Sequence, residues 1–439
     1  MTTNKLVEVF REEDVLSISE LTDLFSGSTI TKFLERGVIQ PSGTDLFRVT
    51  FVGVVIADGR AIQIIPKIFD PSLVSVPEVM LQVVRSLRRY ARWLPNVNED
   101  APFIDANARR ERLNIIAIAD WLISDYSRNG IYRRLRHHEI VNGDGMLNWK
   151  RTIERMSPVI SGRSPIYTDV ITRNSSQDRE HLISRLHKYV IEHSFKDYGY
   201  LMGYAPLSLD HEPFEPLSDL PNISVCINRV NSEIQNAFSD RALHLLSMIR
   251  SWLEARMVAV KSGLALYGMS AFHVVWEQAC SHLIGNQRES WQGFIPRPQW
   301  KSSNGEVQSS ETFRPDIVNQ INGPGGKYLL IADAKYYRLT MPPALSGQPG
   351  VNDIAKQLWY EECLSPPAKH LGLVDTVNVF VVPGSGGSKM FWSDGEVSLV
   401  GLARSRVGIK RLSGLYALRS YADGTTISAA ELERVVFER

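Results

Sequence analysis

The chain has very little cysteine and no histidine pattern typical of a metal site. Its three cysteines lie far apart in 439 residues, at Cys226, Cys280 and Cys363. This spacing excludes the common zinc motifs and a disulfide framework, and it is typical of free thiols in a reducing compartment. The ten histidines include no HExxH motif. We interpret the pair His137-His138 as part of a solvated turn.

Three further absences limit the class of protein. The net charge is only +1, so no polycationic surface marks a nucleic-acid binder, and any DNA-facing surface must be local. The N-terminal residues are too charged for a signal peptide, and the most apolar helical stretch, 113–123, is too short to cross a bilayer. No GxxxxGK[ST] motif is present. We therefore expect a cytoplasmic protein with no membrane partner and no nucleotide site of its own.

The length and the patterns of the chain predict an α/β protein with three regions. Residues 1–72 are expected to form an α+β region, with a winged-helix-like unit and a β-hairpin. Residues 73–263 are predicted to be mainly helical and rich in arginine. Residues 264–439 are predicted to form a core with a mixed sheet flanked by helices.

Residues 17–40 have the pattern of two short amphipathic helices around a Ser-Gly-Ser turn. Ser19 and Ser28 are the predicted N-caps, without a capping-box glutamate. A strand is expected after Gly37, which gives the helix, turn, helix, strand order of a winged-helix unit. Contact with DNA and a structural or protein-docking role are both open for this unit.

Further elements are predicted along the first 263 residues. Residues 46–68 should form a hairpin that turns at Asp58-Gly59. The other predicted elements are helices over 76–94, 109–136, 178–195 and 229–257, a strand-like stretch at 146–153, and a proline-rich loop at 205–221.

Arginine is dense in part of this region and is interleaved with aromatic residues. The arginines concerned are Arg85, Arg88, Arg89, Arg92, Arg109, Arg110, Arg112, Arg128, Arg133, Arg134 and Arg136. Such faces can follow a phosphate backbone. They can equally be the solvated side of core helices or the rim of a protein interface, and the sequence does not decide between these roles.

The most informative stretch runs from Glu311 to Arg338. It contains two strand-like segments, PDIVNQI and YLLIADAKYY, on either side of a turn at 322–326. Asp316 opens the first segment, and Asp333 and Lys335 close the second. A hairpin would therefore bring two carboxylates and an ammonium group to one end of a sheet.

Neighbouring segments add further polar groups to this hairpin. A predicted helix over 270–285 carries Glu277, and a second over 352–363 carries Gln357 and Tyr360 on one face. The run 376–383 is typical of a buried strand.

This grouping predicts a magnesium site for phosphodiester hydrolysis. Asp316 and Asp333 would supply carboxylate oxygens and Ala334 its backbone carbonyl, with Glu277 completing the shell directly or through water. Mn²⁺ is an expected substitute, and a second ion is an open alternative. Lys335 would orient or deprotonate the attacking water. Because Asp-x-Lys at a strand end is common in structural roles, the interpretation depends on the combination.

The combination resembles the PD-(D/E)xK nuclease superfamily, through Pro315-Asp316 and Asp333-Ala334-Lys335. Trp276-Glu277, the DAKYY segment and D-I-x-K-Q-x-x-Y at 353–360 make it similar to the nuclease subunits of McrBC-type restriction systems, in particular the LlaJI type. FVGVVIADG, IIPK and GDGMLNWKRTI in the N-terminal half show a weaker similarity to the same proteins.

The resemblance implies a Mg²⁺-dependent endonuclease subunit for double-stranded DNA in anti-phage defence. It implies a separate McrB-like AAA+ GTPase as partner, so GTP would act only through that partner. It also implies that Gln357 belongs to the catalytic set, although McrC-like subunits usually place this glutamine one residue earlier relative to Asp353, where this chain has Lys356. Cutting both strands would require two copies of the site, for which a homodimer is one possible arrangement.

Two other interpretations are open. One is a non-catalytic scaffold that binds DNA or activates an AAA+ ring; the presence of Asp316, Asp333 and Lys335 speaks against it. The other is a stand-alone repair nuclease, which lacks the expected domain of concentrated positive charge.

Overall fold

A computed structural model of the chain describes residues 7–93, 115–178, 181–205, 222–262, 264–384, 390–402 and 406–438. Its contacts divide the chain into two compact units. Unit 1 comprises Met1–Arg110, Leu201–Tyr204 and Gly263–Arg439, and unit 2 comprises Glu111–Tyr200 and Ala205–Ser262. Unit 2 lies within the predicted region 73–263, whereas unit 1 combines parts of all three regions.

The helices and strands follow one another in three groups. The first group is β1 (Val7–Arg11), β2 (Val15–Ser17), α1 (Ile18–Leu24), α2 (Gly27–Glu35), β3 (Ile39–Gly43), β4 (Leu46–Val49), β5 (Val52–Ala57), β6 (Arg60–Ile65) and α3 (Val76–Trp93). The second is α4 (Ile115–Asn129), β7 (Arg134–Val141), β8 (Met146–Leu147), α5 (Trp149–Arg155), β9 (Val159–Ser161), β10 (Ser164–Ile166), β11 (Ile171–Asp178), α6 (Leu182–Ser194), α7 (Ile223–Gln235) and α8 (Asp240–Ser262). The third is β12 (Leu264–Met269), α9 (Phe272–Ile284), α10 (Arg288–Trp291), β13 (Gln299–Lys301), β14 (Val307–Ser309), β15 (Ile317–Gly323), β16 (Gly326–Ala334), α11 (Val351–His370), β17 (Thr376–Gly384), β18 (Phe391–Ser398), β19 (Arg406–Ser413), α12 (Gly414–Asp423) and α13 (Ala429–Phe437).

The winged-helix-like arrangement is present near the N-terminus. Helices α1 and α2 are followed by a small antiparallel sheet in the order β2-β4-β3. Both predicted caps are wrong by two residues, since Ser17 and Ser26 are the N-caps. Ser17 and Glu20 form a capping box in which each side chain accepts a hydrogen bond from the other's backbone N–H. This reciprocal pair satisfies two donors that the first turn of a helix leaves free.

A four-stranded sheet in the order β1-β6-β5-β12 joins the N-terminal strands of unit 1 to β12, at the start of its C-terminal part. Asp58 and Gly59 have φ of 49° and 75°, which confirms the predicted type I′ turn between β5 and β6. The predicted hairpin over 46–68 is wrong in its first part, because β4 pairs with β2 and β3 instead. Strand β12 lies so close to β5 that a side chain at Gly53 would collide with the carbonyl oxygen of Tyr267.

Several predictions in unit 2 are wrong. The helix expected over 109–136 ends at Asn129, and 134–141 forms β7, which places His137 and His138 in a strand that pairs with β11. Most of the strand-like stretch at 146–153 is helix α5, because Asn148 caps it by accepting a hydrogen bond from the N–H of Arg151. The helix expected over 229–257 is two helices, α7 and α8. Most of the proline-rich loop and part of the arginine-rich stretch lie outside the described residues.

The C-terminal part confirms the predicted α/β class with a mixed sheet. Its five strands lie in the order β15-β16-β17-β19-β18, with antiparallel pairs at both edges and parallel pairs in the centre. The hairpin β15-β16, helix α9 and strand β17 match the predicted elements, and α11 extends well beyond 352–363. Trp291, Val318, Ile331, Tyr360 and Leu364 belong to the core between α11 and the sheet. Within the described helices, none combines the length and apolarity needed to span a bilayer.

Candidate active site

The hairpin β15-β16 places Asp316 beside Asp333, as the sequence predicts. Asp316 lies one residue before Ile317, which pairs with Ala332 in the antiparallel ladder. The backbone N–H of Ala334 donates to Oδ2 of Asp316 at 2.9 Å. Asp333 is only 3% exposed, so the two carboxyl groups share a largely buried position at the end of the sheet.

The proximity of these acids changes the ionisation of Asp316. Burial, followed by the charges of Asp333 and Glu277, raises the pKa of Asp316 to about 8, although the hydrogen bond from Ala334 opposes the shift. Like charges in a buried place cannot all ionise without a compensating cation. A bound divalent cation would therefore favour the ionised form of Asp316.

Lys335 lies between two carboxylates. Its Nζ is 2.7 Å from Oδ2 of Asp333 and 2.9 Å from Oδ1 of Asp353. Burial alone would lower the pKa of Lys335, but the charge and hydrogen bond of Asp333, with those of Asp353, outweigh it and raise the pKa above its ordinary value. The side chain is thus an ammonium group, which favours orientation of water and neutralisation of charge over the alternative role of general base.

Glu277 lies on α9 and interacts with the same acids, but less directly. Burial, and then the charge of Asp333, raises its pKa, while Lys335 and Lys356 lower it. Among the described residues, no three His, Cys, Asp or Glu side chains come close enough together to hold a metal ion. This geometry does not support Glu277 as a third direct carboxylate ligand and leaves the predicted contact through water.

Helix α11 contributes Gln357 and Tyr360, both fully buried. Nε2 of Gln357 donates to the carbonyl oxygens of Ile331 at 3.2 Å and Val379 at 3.1 Å. The Gln357 amide therefore attaches α11 to β16 and β17, and these contacts are structural. Burial, and then the charges of Asp333 and Asp316, raises the pKa of Tyr360, whose hydroxyl has no hydrogen-bond partner within the described structure.

The donor set fits a hard divalent cation. Asp316 and Asp333 offer carboxylate oxygens side by side, and the carbonyl of Ala334 lies between Asp333 and Lys335 in sequence. Mg²⁺ and Mn²⁺ prefer such oxygen ligands and usually keep several waters. The raised pKa of Asp316 is a further sign that this place is short of positive charge.

The residue after Lys335 connects this strand to the N-terminal part of unit 1. The hydroxyl of Tyr336 donates to Oε2 of Glu12 at 2.6 Å, and the N–H of Lys67 donates to the same oxygen at 3.2 Å. The Tyr336 ring packs beside Phe272 and Trp276 of α9, and Nζ of Lys67 lies 4.8 Å from its centroid. Sequence patterns gave no sign of this link.

Three of the arginines on α3 make contacts inside unit 1. Arg85 forms an ion pair with Asp423, Arg88 donates to the hydroxyl of Tyr204, and Arg89 donates to the carbonyl oxygen of Tyr421. These contacts give the three arginines a structural role, which is one of the alternatives left open by the sequence.

Comparison with known proteins places the chain in a family. The family model described as LlaJI restriction endonuclease matches residues 51–411. The Bacillus subtilis (strain 168) protein described as type II restriction enzyme BsuMI component YdjA is 26% identical over 423 residues, which cover 94% of this chain and 89% of that protein.

Two solved assemblies from Thermococcus gammatolerans contain similar chains, both at 12% identity. A half-complex of McrB AAA+ hexamers with bound McrC gives a TM-score of 0.39, covering 95% of this chain and 99% of the other. A McrBC complex gives 0.20, covering 57% and 80%. Both TM-scores lie well below those of chains that share a closely similar structure. The match to the family model confirms the resemblance to LlaJI-type proteins that the motifs predict. The chain belongs to the LlaJI restriction endonuclease family.

Proposed function

We propose that this chain is the Mg²⁺-dependent DNA endonuclease subunit of a McrBC/LlaJI-type restriction system. The observation that carries the proposal is the arrangement of Asp316, Asp333 and Lys335 at the end of one hairpin, inside a chain of this family. Two buried acids with an ammonium group beside them are the groups that hydrolysis of a phosphodiester requires.

Each residue has a role in this proposal. Asp316, Asp333 and the carbonyl of Ala334 would hold Mg²⁺ or Mn²⁺, with Glu277 acting through water. The bound ion would supply Lewis-acid polarisation of the phosphate and a more acidic water. The Lys335 ammonium would orient the attacking water and offset the negative charge that develops on phosphorus-bound oxygens. The buried side chains of α11 exclude bulk water from this end of the sheet.

The proposal includes partners that this chain would need. Double-stranded DNA is the substrate, and a McrB-like AAA+ GTPase would deliver it, since the sequence has no phosphate-binding loop for GTP. Two copies of the site, from a homodimer or a larger assembly, would cut both strands. Because the substrate would be foreign DNA inside the cell, the proposed location is the cytoplasm.

Cleavage by single-residue variants tests the site. Asp333→Ala and Lys335→Ala should each abolish nicking of DNA in Mg²⁺, in the presence of a McrB-like partner GTPase. Lys369 forms a more exposed ion pair with Asp375, so Lys369→Ala is a matched control that should cut normally. Persistent cleavage by both site variants would show that the assignment is wrong.

A non-catalytic scaffold is the second candidate, and one observation favours it. The described residues contain no cluster of three acids that could hold a metal. Isothermal titration of the free protein with Mn²⁺ separates the two candidate functions. A nuclease should bind Mn²⁺, and Asp316→Asn should abolish this binding. For a scaffold, the unsubstituted protein and Asp316→Asn should give the same titration.

A further inference from the structure

Asp353 is an acidic residue of the α11 motif for which the proposed reaction provides no role. It lies near the start of α11, and its two carboxylate oxygens face different partners. Oδ1 is 2.9 Å from Nζ of Lys335, and Oδ2 accepts from the hydroxyl of Tyr337 and the N–H of Gly350, both at 3.3 Å. Asp353 is therefore held against Lys335 by contacts from the DAKYY segment and from its own helix.

The Lys335 ammonium group thus has two counter-charges, and only one of them belongs to the metal-binding pair. Asp333 would have to turn an oxygen toward a bound cation, and its Oδ2 is the atom 2.7 Å from Lys335. The Lys335 side chain is only 14% exposed, so solvent would compensate poorly for the lost carboxylate. A partly buried ammonium group without a counter-charge is costly.

We propose that Asp353 is a positioning residue that keeps a counter-charge on Lys335 while Asp333 turns to the cation. The inference rests on the proposed function, because it requires a metal at Asp316 and Asp333. Asp353 contacts neither the reacting phosphate nor the metal in this scheme. It acts through Lys335, by lowering the cost of metal binding and by fixing the ammonium group where the substrate will lie.

A purely local role for Asp353 is the competing explanation. Asp353 accepts a hydrogen bond from Gly350, the N-cap of α11, and acids in a first turn stabilise helices. This role would make the effect of an Asp353 substitution independent of Lys335. The distances favour the other role, because the contact with Lys335 at 2.9 Å is shorter than that with Gly350 at 3.3 Å.

A double-mutant cycle on metal binding separates the two roles. Isothermal titration with Mn²⁺, without DNA, is applied to the full chain and to Asp353→Asn, Lys335→Met and the double variant. Asp353→Asn should weaken Mn²⁺ binding by about tenfold, since Lys335 then has no counter-charge other than Asp333. In the Lys335→Met background the same substitution should change the dissociation constant by less than about twofold.

The matched control is Glu20→Gln. Like Asp353, Glu20 accepts a hydrogen bond from the N-cap residue of its helix, here α1. It should leave Mn²⁺ binding unchanged. Thermal unfolding of each variant checks that the fold persists, and Asp353→Ser replaces Asp353→Asn in the cycle if the latter does not fold.

Each result has a defined meaning. Weakening that depends on Lys335 supports the inference. An equal loss in both backgrounds, or no loss in either, overturns it while leaving the proposed metal site intact. Failure of the unsubstituted protein to bind Mn²⁺ would instead overturn the proposed function, and the inference with it.

Discussion

Metal binding at the candidate site should release a proton. Folding raises the pKa of Asp316 from 3.8 to about 8, so the free protein carries a proton on this carboxyl group at neutral pH. A cation binds the ionised form, and binding therefore competes with that proton. With a pKa of about 8, roughly nine-tenths of the Asp316 carboxyl groups are protonated at pH 7.

The structure gives the size of the effect. Binding of Mn²⁺ or Mg²⁺ at pH 7 should release about 0.9 proton, and the apparent affinity should rise by about tenfold from pH 6 to pH 7. The rise should level off above about pH 8, where the free protein is already ionised. The sign follows from the raised pKa, because acid favours the metal-free form.

Isothermal titration in buffers with different ionisation enthalpies measures the released protons directly. Asp375, an exposed acid paired with Lys369, supplies the control Asp375→Asn, which should show the same proton release as the unsubstituted protein. Affinity that is constant between pH 6 and pH 8, with no buffer dependence of the binding heat, would refute the reasoning.

Two predictions about stability follow from other buried groups. Tyr336→Phe removes the donor to Glu12 and should lower the free energy of unfolding of unit 1 in urea by about 1–3 kcal/mol. Glu12→Gln keeps an acceptor and should lower it by less. Equal stability of Tyr336→Phe and the unsubstituted protein would contradict this prediction. Burial lowers the pKa of His187 from 6.5 to about 4, so the unfolded chain takes up a proton that the folded unit 2 does not. Stability from this residue is present above pH 6.5 and lost as the pH falls toward 4, by up to about 3 kcal/mol. The difference between the unsubstituted protein and His187→Gln across this range measures it, and parallel pH profiles would count against the buried neutral imidazole.

The hairpin could be predicted because its signals are local. Runs of apolar residues mark β15 and β16. The glycine-rich turn joins them, with Gly325 at a φ of 82°. A strand period of two places Asp333 and Lys335 on the same face, and the antiparallel register then brings Asp316 to Asp333. Polar residues that lie on a single hairpin can therefore be placed together from the sequence.

The predictions for short segments are wrong because the deciding contacts are not local. The run at 134–141 forms a strand by pairing with β11, whose residues lie 30 to 44 positions later in the sequence. Nothing within the run itself distinguishes this outcome from the end of a helix. In α5 the deciding group is the cap at Asn148. The correct cap of α1 could be predicted from the sequence, since Ser17 and Glu20 have capping-box spacing.

The role of Asp353 lies between these cases. Its spacing from Gln357 was visible in the sequence, but its contact with Lys335 depends on how the start of α11 meets the end of β16. Likewise, the resemblance implies a catalytic role for Gln357, and only the structure shows that its amide donates to the carbonyl oxygens of two strands. A motif identifies which residues cluster, and only the hydrogen bonds decide which of them position the helix.

The hydrogen bond from Tyr336 to Glu12 connects the N-terminal part of unit 1 to the residue that follows Lys335 of the candidate site. Glu12 directly follows β1, Lys67 lies just after β6, and both contact the residue next to Lys335. A displacement of these N-terminal strands would therefore act on the strand that carries Asp333 and Lys335. The N-terminal region thus contacts the segment that follows the candidate hairpin, through a buried hydrogen bond between residues 324 positions apart in the sequence. A shift of β1 or β6 would therefore be transmitted through Glu12 and Tyr336 to Lys335.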